Sequence, residues 1–131
     1  MPGIKDIFNE QATFKLNTSM ETAKNQVQEA MATNFKQYEL YASLQNGNSE
    51  HILNYVWIAW GRATAMIQSN VNIIISNSSE GLYIHIAQVG RNQRAAFSTD
   101  DNPKYNTISF LANLLNDVIV EKIDGPKYKK S

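Results

Sequence analysis

The sequence predicts an α+β fold: a two-layer sandwich in which an antiparallel sheet of four to five strands carries two main helices on one face. Three observations lead there. Residues alternate apolar and polar over Tyr38–Leu44, Val71–Ser76 and Leu82–Gln88, which is the period of half-buried strands. Apolar residues recur at helical spacing in Met20, Ala23, Val27, Ala30 and Met31, and again in Ile108, Leu111, Leu115, Val118 and Ile119. The strand segments also follow one another directly instead of alternating with helices, which favours antiparallel pairing.

Taken in order, Ile4, Ile7 and Phe8 share one face of a short N-terminal helix, and residues 1–12 read as an extension of the domain. Thr13 to Asn17 reads as a strand. Thr18-Ser19-Met20-Glu21 then offers a capping box, with Thr18 as the cap and Glu21 reaching back, and the first main helix ends near Asn34. Asn46-Gly47-Asn48 makes the turn after the Tyr38 strand. Over Ile52–Ile67 the residues Val56, Ala59, Trp60, Ala63 and Ile67 fit a helical stripe. Strand is nevertheless preferred, because Tyr55-Val56-Trp57-Ile58 is aromatic and β-branched and a helix would bury Gly61 in its interior. Gly61 then marks a bend or bulge. Val71–Ser76 and Leu82–Gln88 flank Asn77-Ser78-Ser79-Glu80-Gly81 as a hairpin, with Val71, Ile73 and Ile75 on the face of Leu82, Ile84 and Ile86. Gly90 to Lys104 is a polar connection closed by Asn102-Pro103. The last helix starts at the cap Asn106, runs through Ile119 and stops at Gly125-Pro126. One domain over residues 13–124 and a flexible basic tail over 125–131 complete the reading; 131 residues suffice to bury about two-thirds of the unfolded surface.

From about Thr13 to Ile119 the chain resembles small bacterial domains of unknown function with the order strand, helix, four strands, helix. The resemblance rests on the aromatic strand Tyr55–Trp60 followed by Arg62, the hairpin 71–88, the Gly90 loop and the closing helix. Those domains tend to be Gly-rich after the last strand, where this chain has Gly90-Arg91-Asn92-Gln93-Arg94. The resemblance implies topology and no activity.

Composition narrows the function. Twelve basic residues balance twelve acidic ones, so there is no broad attraction to phosphate backbones, and nucleic acid is not expected as a partner. The chain has no cysteine, which excludes disulfides, thiolate metal sites and a cysteine nucleophile and fits a reducing compartment. No stretch approaches the roughly 20 apolar residues of a membrane span, and the start Met1-Pro2-Gly3-Ile4 lacks the basic and apolar segments of a secretory signal. The expected location is cytoplasmic.

Catalytic and cofactor motifs are equally sparse. His51 and His85 have no partner at metal-binding spacing, so no metal is expected. No phosphate-binding glycine loop or nucleophile elbow occurs, no cofactor is implied, and no convergent set of titratable groups argues for an enzyme. His85 alternates with Leu82, Ile84 and Ile86 and reads as a half-exposed strand histidine beside Tyr83. Arg91, Arg94 and Lys104, with Arg62 nearby and the aromatics Phe97 and Tyr105 in the same stretch, suggest an anion or single-strand nucleic-acid site, but Asp100 and Asp101 in the same loop cancel most of that charge.

The informative feature is the face of the sheet away from the helices, which would carry Ile74, Tyr83, His85, Tyr41 and one alternate set from Tyr55–Trp60. Leaving apolar surface wet forfeits about 25 cal/mol per Å². Such a face suits a homodimer or protein contact, unless the N-terminal segment with Ile4, Ile7 and Phe8 folds back over it. The expected function is a non-catalytic binding or assembly module acting through this face or the 90–104 loop. The alternative is a helix-grip-like binder of a small apolar ligand, enclosed by Trp57, Trp60, Tyr83 and Phe110.

Overall fold

The computed structural model describes residues 8–60, 65–90 and 107–124, with side chains over 11–58, 67–90 and 107–123. The described elements run β1 (Phe8–Leu16), α1 (Met20–Asn34), β2 (Tyr38–Asn46), β3 (Glu50–Trp60), β4 (Ala65–Ser78), β5 (Gly81–Gly90), α2 (Thr107–Leu114) and β6 (Ile119–Asp124). The strands form one antiparallel sheet in the order β2-β3-β4-β5-β1-β6. Mixed, sheet-dominated architecture thus agrees with the sequence reading. The sheet has six strands where four to five were expected.

Both extra pieces of strand come from the ends. β1 begins at Phe8, five residues before the expected start, so residues 8–12 are extended and pair with Ala87–Gly90 and Ile86 of β5. Ile4 and Ile7 lie outside the described residues. The closing helix is shorter than its apolar stripe suggests. Leu115 and Ile119 still fold back on the helix, their N–H groups donating to Leu111 and to Leu115 respectively, but Val118 also turns onto Leu115 and the chain leaves as β6. There the β-branched Ile119, Val120 and Ile123 extend along the free edge of β1. The expected cap Asn106 and the tail 125–131 lie outside the described residues.

α1 is capped one residue later than the box motif predicts. Ser19 has extended backbone (φ −85°, ψ 157°) and its hydroxyl accepts from the Thr22 N–H at 3.1 Å, satisfying one of the helix's orphan donors. Thr18 is not the cap. The helix buries Ala23, Val27, Ala30 and Met31, the stripe read from the sequence. Phe35, fully buried, ends it with its N–H on the Met31 carbonyl, and packs edge-on against Phe110 at 5.3 Å and Tyr38 at 6.2 Å.

The described residues of the segment Ile52–Ile67 are strand, as preferred, but they belong to two strands: β3 ends at Trp60, β4 begins at Ala65, and these two residues pair. Gly61 and Arg62 lie outside the described residues. The hairpin of β4 and β5 turns at Ser79-Glu80, with Ile73 opposite Ile86 and Ile75 opposite Ile84. Alternate residues of four strands make the buried inner set: Ala12, Phe14 and Leu16; Leu53 and Tyr55; Val71, Ile73 and Ile75; Leu82, Ile84 and Ile86. They join one cluster with Ala23, Val27, Ala30 and Met31 of α1 and Ile108 and Leu111 of α2. A bulge between Leu40 and Ala42 shifts the register of β2, which lies at the sheet edge and leaves Leu40, Tyr41 and Leu44 exposed.

Candidate functional site

Because side chains alternate along each strand, the residues between the buried ones form an outer face arranged in cross-strand rows. One row reads Thr13, His85, Ile74, Ile52, Leu44 from β1 to β2. Ile74 and Ile52 are half-buried, whereas Leu44 is 59% exposed at the edge. The next row reads Gln11, Ala87, Asn72, Asn54, Ala42. Here the Asn54 amide forks, donating at 2.6 Å to the side-chain oxygens of both Asn70 and Asn72. Full charges sit at the ends of the face: Lys15 and Glu50 share the row through Tyr83 and Ser76, and Glu39 lies in the row through Val56 and Asn70. The centre therefore holds no Asp, Glu, Lys or Arg: it is built from isoleucine, asparagine, alanine and threonine, with His85 beside Thr13 and Ile74.

Two of the residues singled out from sequence lie on this face. His85 is half-buried, as expected for an outward strand histidine, and its Nδ1 is 2.7 Å from the Thr13 hydroxyl across β1. Tyr83 is likewise half-buried and its hydroxyl reaches the Glu80 carboxylate at 3.5 Å. Ile74 joins them, and Tyr41, at the bulge, is 74% exposed. Arg91, Arg94 and the loop from 91 to 104 lie outside the described residues, as does the side chain of Trp60.

Trp57 is elsewhere. It pairs with Ser69 in the inner set, packs against the core and tilts over Tyr38 at a ring distance of 6.0 Å. Phe110 also packs against that core. Trp57 and Phe110 thus lie on the inner side of the sheet and Tyr83 on the outer, so among the described side chains these three, expected with Trp60 to enclose one pocket, do not share a face. The reason is strand parity: Trp57 and Tyr83 occupy opposite phases of the pleat. Cavities occur elsewhere, including one of about 290 Å³ between α1 and β2–β3 and one of about 310 Å³ between α2 and β6; neither is lined by Trp57, Tyr83 or Phe110.

Near Trp57 the inner face carries a small buried polar group. The Tyr38 hydroxyl donates to Ser69 Oγ at 2.9 Å, the Gln88 amide donates to the same oxygen at 3.5 Å, and Ser69 donates to the Val89 carbonyl. Burial pushes the Tyr38 pKa up, with the hydroxyls of Ser69 and Thr107 working against the rise. These bonds satisfy groups that would be costly to bury alone and tie β2, β4 and β5 together.

His51, considered from sequence only as a metal ligand, has a partner of another kind. It lies in β3, 6% exposed, with Nε2 3.0 Å from the hydroxyl of Ser43 in β2. Burial is the largest influence lowering its pKa. Lys24 adds to the fall and Glu21 opposes it, both from the first turns of α1. The hairpin register held the signal: a turn at 47–49 places residue 45 opposite 51, and so puts 43 on the diagonal.

Among the described residues no group of three or more His, Asp or Glu is placed to hold a metal ion, and no helix is long and apolar enough to cross a membrane. The fold and these surfaces define a sheet-dominated α+β domain. No family model, curated protein or solved structure matches this chain.

Proposed function

We propose that this chain is an assembly module whose outer sheet face packs against the same face of a second copy. The observation that carries the reading is the centre of that face, where Ile52, Ile74, Ala87 and the Asn54–Asn70–Asn72 amides lie beside His85 without any Asp, Glu, Lys or Arg, while Lys15, Glu50 and Glu39 are kept to its ends. A two-fold contact sets one patch against itself, so a charged patch would repel its own copy, whereas neutral amides and aliphatic groups are self-complementary. Both helices are read as one layer on the opposite face, since their buried residues share the inner cluster. Among the described residues that arrangement leaves the outer face open to a partner.

The size of the face sets the expected strength. Five strands about 4.8 Å apart and four rows spread over about 20 Å give a footprint on the order of 400 Å² per copy. Two such faces fall below the roughly 1,200 Å² of a standard interface, so the dimer should be weak and concentration-dependent. The lack of cysteine suits a module working in a reducing compartment such as the cytoplasm.

Light scattering over low-micromolar to near-millimolar concentrations tests this. The mass should climb from 14.8 kDa toward twice that value. Ile74→Lys, which places two ammonium groups near the two-fold axis, should hold it at the monomer mass while the far-ultraviolet circular dichroism stays unchanged. A mass fixed at 14.8 kDa throughout, or a climb untouched by Ile74→Lys, would overturn the reading.

A further inference from the structure

We propose that Ser43 and His51 form a nucleophile–base pair that takes acyl groups from small aliphatic esters, with the neighbouring cavity between α1 and β2 receiving the acyl chain. This inference is independent of the assembly reading, which uses the other face of the sheet.

Four features meet at this edge. Ser43 is exposed, while its partner His51 is 6% exposed, and their reacting atoms are 3.0 Å apart, the separation at which an imidazole takes a hydroxyl proton. Burial and the nearby Lys24 outweigh Glu21 and favour the neutral imidazole, the form a general base requires at neutral pH. β2 is an outermost strand of the described sheet, so among the described residues alternate backbone N–H groups beside Ser43 face outward without a strand partner, available to a developing oxyanion. Finally, Ser43 pairs with Leu53 and Leu40 pairs with Tyr55, two residues along the same inner phase of β3. The cavity of about 290 Å³ lined by Met31, Ala32, Leu40 and Tyr55 therefore begins about 7 Å from the nucleophile. Its apolar walls suit an aliphatic chain of medium length.

The chemistry balances without any further component except water. Ser43 Oγ attacks the acyl carbonyl carbon as its proton passes to His51 Nε2. The tetrahedral oxyanion collapses, the carbon–oxygen bond to the leaving group breaks, and Nε2 returns the proton to that oxygen. Water then attacks the acyl-serine with His51 again taking a proton, which releases the carboxylic acid and restores the Ser43 hydroxyl.

The test uses the whole chain with p-nitrophenyl hexanoate and p-nitrophenyl acetate, following nitrophenolate release and locating the adduct by peptide mass spectrometry. An acyl adduct on Ser43 is expected, with hexanoate turned over about tenfold faster than acetate. Ser43→Ala, an exposed and isosteric change, should abolish the adduct, and His51→Gln should slow release by about 100-fold or more. Ala32→Trp, which fills the cavity from the helix side, should remove the chain-length preference while leaving the adduct. Release that is as fast in Ser43→Ala, an adduct only on lysines or His85, or equal rates for the two esters would overturn the proposal.

Discussion

Replacing Gly90 by alanine should destabilise the protein by about 3 kcal/mol, while the same replacement at Gly47 should cost about 1 kcal/mol. Both glycines have positive φ, +95° at Gly90 and +54° at Gly47. Forcing an L-residue into the left-handed region costs about 1–2 kcal/mol. Alanine recovers about 0.4–1 kcal/mol of that because its unfolded chain has fewer conformations. The sites differ in what a Cβ would meet. At Gly47 nothing lies within 4 Å, whereas at Gly90 the Gln68 carbonyl oxygen would be 2.5 Å away and the Ser69 Cα 3.2 Å. Those atoms cannot step aside easily, because Gly90 pairs with Ser69 on one side and Phe8 on the other. Such overpacking adds about 1–3 kcal/mol. Urea unfolding followed by tryptophan fluorescence, with the slope of the transition held constant, gives the comparison directly. In a domain of this size each kcal/mol moves Tm by about 3–5 °C. If the two variants lie within about 0.5 kcal/mol of each other, or Gly47→Ala is the worse, the close approach of β4 to β5 at Gly90 is wrong.

Three further outcomes follow from single bonds. Ser19→Ala should cost about 1 kcal/mol by removing the acceptor for the Thr22 N–H, whereas Thr18→Ala should stay within about 0.5 kcal/mol; chemical denaturation of the two variants checks which residue caps α1. Tyr38→Phe removes the buried donor to Ser69 and should lower stability by about 1–2 kcal/mol with little change in far-ultraviolet dichroism. The His51 pKa is lower in the native state than in the unfolded chain, so the unfolded chain binds its proton first on acidification. The contribution of His51 is intact above its unfolded pKa of about 6.5 and is lost as pH falls through the lower native value. Urea midpoints at neutral and mildly acidic pH should therefore fall less in His51→Gln than in the native protein.

What the sequence discloses depends on how local each signal is. The β4–β5 hairpin was legible because its alternation and its turn lie within about twenty residues, and because Ile73 and Ile75 find Ile86 and Ile84 across a two-residue turn. β6 was not, since Val118 and Ile119 continue the spacing of Ile108, Leu111 and Leu115, and its partner β1 stands at the other end of the chain. Residues 8–12 gave a similar false signal: Phe8 fits a helical spacing with Ile4 and Ile7, yet pairing with β5 draws it into extended structure. At the site, the outward phase of Ile74, Tyr83 and His85 followed from period two alone. Trp57 required its phase relative to Val71 and Ser69 across β4, which only the register supplies. The contact of Ser43 with His51 likewise depends on the turn at 47–49 and on the bulge at Leu40–Ala42.

The place of β1 in the sheet bears on how the molecule is made. β1 is the first strand of the described chain and sits between β5 and β6, the two last. During synthesis it has no lasting neighbour until β5 has emerged, and its second edge waits for residues 119–124. The β2–β3 and β4–β5 hairpins join strands close in sequence and can form early, whereas closing β1 against its partners is a long-range event with a large loop entropy to overcome. Until then the Phe14 and Leu16 side chains and an open strand edge are exposed together, so the stage before β1 is paired is the one most prone to aggregation.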